Sequence, residues 1–194
     1  MKKILSLTLI LTLGLTFAAK AELVWKTGYI LLNTGDSVKG DIRVNTAKEL
    51  PLFQKVAVKI GEVTKTYKPE QVKEYAFESS KFVSRKVDGE MQFLKVIVEG
   101  QINLYELQFE LQRGDAIVVD KDYYIEKQGN TAEPEKIKES KFKKIVADLM
   151  ADDAAIVAKV QADTKKYEIN DMQSVVEEYN SWYSTTNGSF TGSR

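Results

Sequence analysis

The chain contains no histidine and no cysteine, so Ser-His-Asp and Cys-His machinery cannot be assembled from it. A zinc site needs ligands of those types in nearly all cases and is excluded with them. Carboxylates, Lys, Ser and Tyr remain. Ser140 and Lys143 have the Ser-x-x-Lys spacing of acyl enzymes, but both companion motifs of that class are missing. Phe142 between them belongs to an apolar stripe, which leaves Ser140 and Lys143 on solvated helix flanks. Asp120-Lys121-Asp122 offers two oxygens to Ca²⁺ without the further acids and Gly of an EF-hand loop, and reads as a turn. Asp152-Asp153 and Glu177-Glu178 are sequence neighbours on helices and do not face each other; they read as a cap and a solvated face. No catalytic residue, metal ligand or cofactor is expected. The candidate binding residues are tyrosines, Tyr29, Tyr67, Tyr75, Tyr105, Tyr123 and Tyr124, all in or beside strands. Exposed aromatics on a sheet stack on sugars or bind peptide, whereas Tyr is also an ordinary half-buried strand residue.

The elements that carry these residues show two periods. From Val24 to Lys127 apolar and polar residues alternate, with turn signals at short intervals. The expected strands are Val24–Leu32, Ser37–Val44, Phe53–Ile60, Val63–Tyr67, Tyr75–Phe77, Phe82–Val87, Met91–Val98, Ile102–Leu111, Ala116–Val119 and Tyr123–Lys127. Asp88-Gly89 is a strong hairpin signal, with Gly35 and Gly61 marking others. Pro69 enforces a bend, and a change of phase near Tyr105 predicts a bulge. Short strands joined by tight turns leave no room for crossover helices. The fold class is therefore α+β: an antiparallel β-sandwich or bent barrel of about 8–10 strands, followed by two to three C-terminal helices.

The period lengthens after residue 131. Ile137, Phe142, Ile145, Val146 and Leu149 share one face, with Pro134 where a helix would start. Asp152 or Asp153 can cap a second helix carrying Ile156, Val157 and Val160. Asn170, with Gln173 three positions on, predicts a third, carrying Met172, Val175, Val176, Tyr179 and Trp182 or Tyr183. The expected domains are a β-rich body over residues 22–128, a helical region over 132–183 packed on it, and a disordered tail over 184–194.

The N-terminus has the form of a secretory signal. Lys2 and Lys3 precede an uncharged apolar run from Ile4 to Phe17, and Ala19-Lys20-Ala21 supplies a small-x-small cleavage site. As a helix the run spans about 21 Å, short of the ~30 Å hydrocarbon core. Residues 1–21 are therefore read as a cleaved signal peptide. The remainder carries 25 basic and 28 acidic residues, a balance that points to no nucleic-acid partner. No second apolar run suggests a helical membrane segment.

Three stretches carry a resemblance: Gly28-Tyr29-Ile30 with Gly35-Asp36-Ser37-Val38-Lys39-Gly40, then Tyr67-Lys68-Pro69-Glu70-Gln71-Val72, then Phe93 to Tyr105. Val176-Glu177-Glu178-Tyr179-Asn180 continues it near the end. This pattern resembles a family of exported envelope proteins of Bacteroidetes-type bacteria, in which a β-rich domain sometimes precedes an outer-membrane β-barrel. The resemblance implies export to the periplasm or cell surface of a Gram-negative bacterium. Its matching residues belong to turns and packing, so it brings no functional residues with it. The expected role is a non-catalytic module that binds an envelope protein or glycan. A small-ligand carrier with a barrel cavity is the first alternative, and a carboxylate-based hydrolase the second.

Overall fold

The computed structural model of the protein describes residues 22–130, 132–163 and 168–187. The segment 1–21 expected to be a signal, and the expected tail beyond Asn187, lie outside the described residues.

Among the described residues ten strands form one antiparallel sheet in the order β10-β9-β8-β7-β6-β5-β1-β2-β3-β4, and its two ends do not pair. Along the chain these are β1 (Leu23–Leu32), β2 (Ser37–Asn45), β3 (Val56–Ile60), β4 (Val63–Tyr67), β5 (Val72–Phe77), β6 (Ser80–Val87), β7 (Glu90–Val98), β8 (Ile102–Arg113), β9 (Ala116–Lys127) and β10 (Glu135–Lys136). The β6–β7 turn shows why the hairpins form where they do. Asp88 and Gly89 both have positive φ, 52° and 87°, the geometry of a primed two-residue turn, whose twist matches its strands. β5 does not extend the β1–β4 meander but returns to the free side of β1, after a 3-10 turn at Pro69–Gln71.

A short helix, α1 (Pro51–Gln54), interrupts the strand expected from Phe53. Proline's fixed φ and missing N–H suit the first turn of a helix. Turning there drives Leu52 and Phe53 inward against β3, β7 and β8. Because one short helix touches strands so far apart in the sheet order, the sheet is strongly bent around it. Tyr75 is the centre of this core. Its ring stacks on Phe82 at 4.8 Å and meets Phe93 edge-on at 5.0 Å, and its hydroxyl donates to the Leu52 carbonyl at 2.5 Å.

Several further local expectations are corrected. The two short strands expected after Arg113 are one, β9, paired with β8 along its whole length. Asp120-Lys121-Asp122 is thus a stretch of strand and not a turn. Pro134 precedes β10 instead of a helix, and α2 starts only at Phe142 (Phe142–Leu149). Asp153 does cap α3 (Ala154–Ala162), accepting from the amides of Ala155 and Ile156, but Asn170 lies inside a helix and not at its N-cap. α4 (Ile169–Asn187) begins before it, where Asp171 accepts from the Glu168 amide. α4 also continues through residues 184–187, which were expected to be disordered. The irregularity expected near Tyr105 lies opposite it, in β7: Val96 pairs with Tyr105 but Val98 with Leu104. The extra residue, Ile97, turns Val98 to the other face.

One row of directly opposed residues, Ile30–Tyr75–Phe82–Lys95–Glu106–Tyr123, crosses from β1 to β9 on a single face. That face is covered twice. α1 closes its N-terminal half, and α2–α4 bury Val98, Ile102, Leu104 and Ile125 in the other half together with Phe142, Val146, Val176 and Tyr179. The opposite face, the row Val96–Tyr105–Tyr124 and its neighbours, carries no helix among the described residues. Its apolar cluster of Val83, Val87, Leu94, Tyr105 and Tyr124 is buried by the curl of β6–β9. Among the described residues no helix is long and apolar enough to cross a membrane.

Candidate functional site

The helix-free face holds an open cleft of about 430 Å³ whose walls come from β1, β5, β6, β7, β8 and the end of β9. Strand alternation aims its side chains: Glu74, Val83 and Arg85 on β5 and β6, and Val96, Tyr105 and Glu126 on β7–β9, share this side of the pleat. Three cations, Lys73, Lys81 and Arg85, and three acids, Glu74, Glu99 and Glu126, line it, with Leu31, Val83, Met91 and Val96 supplying apolar strips.

Two fixed clusters organise these charges. In the first, Glu126 Oε2 accepts from Arg85 Nε at 2.8 Å and from the Tyr105 hydroxyl at 2.9 Å. The guanidinium also reaches the Tyr105 oxygen at 3.4 Å. Burial raises the Tyr105 pKa well above the ordinary phenol value. Arg85 opposes that rise and Glu126 adds to it, so the phenol stays a donor. In the second, Lys81 Nζ lies 2.6 Å from Glu99 and 3.5 Å from Glu74, and Tyr29 donates to the far oxygen of Glu74 at 2.7 Å. Burial works against the Lys81 ammonium, but Glu99 and Glu74 together hold its pKa above the usual lysine value. Desolvation, then the bond to Glu74, pushes the Tyr29 phenol up to about 12. The cleft is therefore a set of donors and acceptors whose formal charge sums to zero.

The six tyrosines are not brought together. Tyr105 is in the cleft floor, and Tyr29 is joined to the cleft through Glu74. Tyr124 is buried behind them with Val83 and Leu94, and Tyr75 is buried on the opposite face. Neither buried ring can stack on a ligand as placed. Tyr67 leans on the α1 core from β4. Tyr123 faces the helical side and lines a separate small cleft with Ile169 and Met172 at the start of α4.

The charged residues of the cleft were missed because alternation was used only to locate apolar positions. Arg85 lies between Val83 and Val87, and Glu126 two residues after Tyr124, each in phase with buried apolar neighbours. A charge in that phase is the readable signal. On the covered face a second polar group lies in the row between the two cores. Glu49 accepts from Lys95 at 2.6 Å and from Gln108 at 3.0 Å, and Glu106 accepts from Gln108 and from Lys121. Its members satisfy one another, and it ties the α1 approach to the middle of the sheet.

No family model matches the chain, and no curated protein or solved structure is significantly similar to it. Fold and cleft together define the protein as a β-rich α+β domain with an open, charge-balanced polar cleft on the face its helices leave bare.

Proposed function

We propose that the protein is a non-catalytic recognition module of the bacterial envelope that binds a neutral, polyhydroxylated ligand, a glycan, in this cleft. The observation that carries the reading is the balance of three cations against three acids, with Lys81 and Arg85 held in ion pairs, in a cleft of about 430 Å³. A ligand bearing net charge gains little from such a site. A sugar, whose hydroxyls both donate and accept, matches its alternating partners, and its C–H faces suit the Val83, Val96 and Met91 strips.

Hydrolysis is served less well. Glu74 and Glu99 both face Lys81, so an ammonium occupies the interval where a glycosidic oxygen would have to lie between an acid and its partner. An enclosed apolar carrier is also poorly supported, because Phe53, Tyr75, Phe82 and Phe93 fill the bend of the sheet. The test is glycan-array screening followed by titration calorimetry on Arg85→Met and Lys81→Met variants. Each is expected to weaken a captured saccharide by about 10- to 100-fold, the value of one hydrogen bond to a charged group. Capture of no saccharide, or parental affinity in both variants, refutes the reading.

A further inference from the structure

The same bare face continues over β1–β4 and changes character there. β1 turns Leu23, Trp25 and Thr27 outward, and their partners on β2 are Asn45, Arg43 and Asp41. Asp41 in turn faces Lys59, which faces Thr64. Lys39, opposite Tyr29, belongs to the same side, and Lys55 borders it beside Leu23 and Arg43. Leu23 is 62% exposed and Trp25 40% exposed, two large apolar side chains one pleat apart on a face that no described element covers. Of the residues that β1–β4 turn to this side, Asp41 is the one acid. It is engaged by Thr27. Lys39, Arg43, Lys55 and Lys59 form no ion pair with a carboxylate among the described residues.

We propose that this face docks on an anionic phospholipid bilayer, with Leu23 and Trp25 entering the headgroup boundary and Lys39, Arg43, Lys55 and Lys59 lying over lipid phosphates. Charge complementarity selects an anionic partner. The apolar pair selects a membrane over a soluble polyanion, because an acidic polysaccharide leaves Leu23 in water. An indole beside basic residues is the side-chain pairing that suits a membrane interface. Each cation near such a surface contributes about fivefold to partitioning at moderate salt. The wedge and its cations lie on β1–β3, away from Arg85 and Glu126, so this inference stands apart from the glycan reading.

The experiment uses residues 22–194, the span that holds every described element, and vesicles of phosphatidylcholine with or without phosphatidylglycerol. Co-sedimentation is expected with the anionic vesicles alone and is expected to fall as salt is raised. Arg43→Glu with Lys59→Glu should lower partitioning at least about 25-fold, two cations at the value above, while circular dichroism stays unchanged. In a Trp182→Phe background the remaining Trp25 emission should shift to the blue on anionic vesicles. Trp25→Ser should weaken binding without changing its salt dependence. Absence of sedimentation, equal binding to uncharged vesicles, or Trp25 emission that does not move overturns the proposal. Equal affinity for soluble dextran sulfate overturns the choice of occupant and with it the proposal.

Discussion

Asn180 offers the sharpest test of how the helical half is seated. Its side-chain oxygen accepts from the Ile102 amide at 2.8 Å and its amide donates to the Ile102 carbonyl at 2.8 Å, so α4 completes the start of β8 like an added strand residue. The space is tight: a Cβ on Gly100 would lie 2.5 Å from Asn180 Cγ and Nδ2. Asn180→Ala strands one backbone donor and one acceptor beneath the helix, at a cost of about 2–4 kcal/mol for the two groups. Gly100→Ala alone forces the amide aside and costs about 1–3 kcal/mol, as overpacking does. With Asn180 already truncated the new methyl has room, and Gly100→Ala should then cost under about 0.5 kcal/mol. A double-mutant cycle from urea unfolding, followed by tryptophan emission and far-ultraviolet dichroism, measures the coupling directly. Equal costs of Gly100→Ala in the two backgrounds would refute this seating, as would an Asn180→Ala variant as stable as the parent.

Three further outcomes follow from the same contacts. Asp153→Ala removes both side-chain bonds to the first turn of α3 and should lower stability by about 1 kcal/mol in urea titration, whereas Asp153→Asn should lose much less. Glu106→Ala takes an acceptor from Gln108 and Lys121 and should cost about 1–3 kcal/mol, with Glu106→Gln recovering part of that loss in the same assay. At alkaline pH, Tyr29 and Lys81 both hold their protons more tightly folded than unfolded. Their contribution is complete below the unfolded values near 10 and is lost as pH climbs through the folded ones. Unfolding midpoints should therefore fall between about pH 10 and 12, less steeply in Tyr29→Phe.

Much of the sheet was legible because its turns are chemical. Asp88-Gly89 and Gly61 sit where the chain needs positive φ, and the alternation between them admits one register. The errors share a cause, a tertiary contact that outweighed a local signal. Phe53 has strand propensity, but beside Pro51 it gains more by turning into the aromatic core against Phe82 at 5.3 Å. Pro134 looks like a helix start, yet the edge of β9 offers Glu135 and Lys136 backbone partners first. The capping pattern at Asn170 failed because Met172, Val175 and Val176 set the phase of α4 from the core, and the helix then extends past its own signal.

The cleft was less legible for a reason that also shapes its chemistry. A two-residue period assigns each strand an inner and an outer side, and that assignment presumes one covered face. Here both sides are buried over β6–β9, one by helices and one by curvature, so apolar residues occupy both phases of β8 from Ile102 to Leu107. Against that background Arg85 and Glu126 show as charges in phase with apolar neighbours, but the period alone does not say that the two share one cleft. Only the bend of the sheet brings β5 and β9 to opposite walls of one cleft. The same curvature takes water from Arg85, Tyr105 and Glu126, so each must find its partner within the cluster. A ligand that displaces none of these bonds, and adds its own to their free lone pairs and hydrogens, gains most. Uncharged hydroxyls meet that condition, whereas a carboxylate or an ammonium would compete with the Arg85–Glu126 and Lys81–Glu99 pairs.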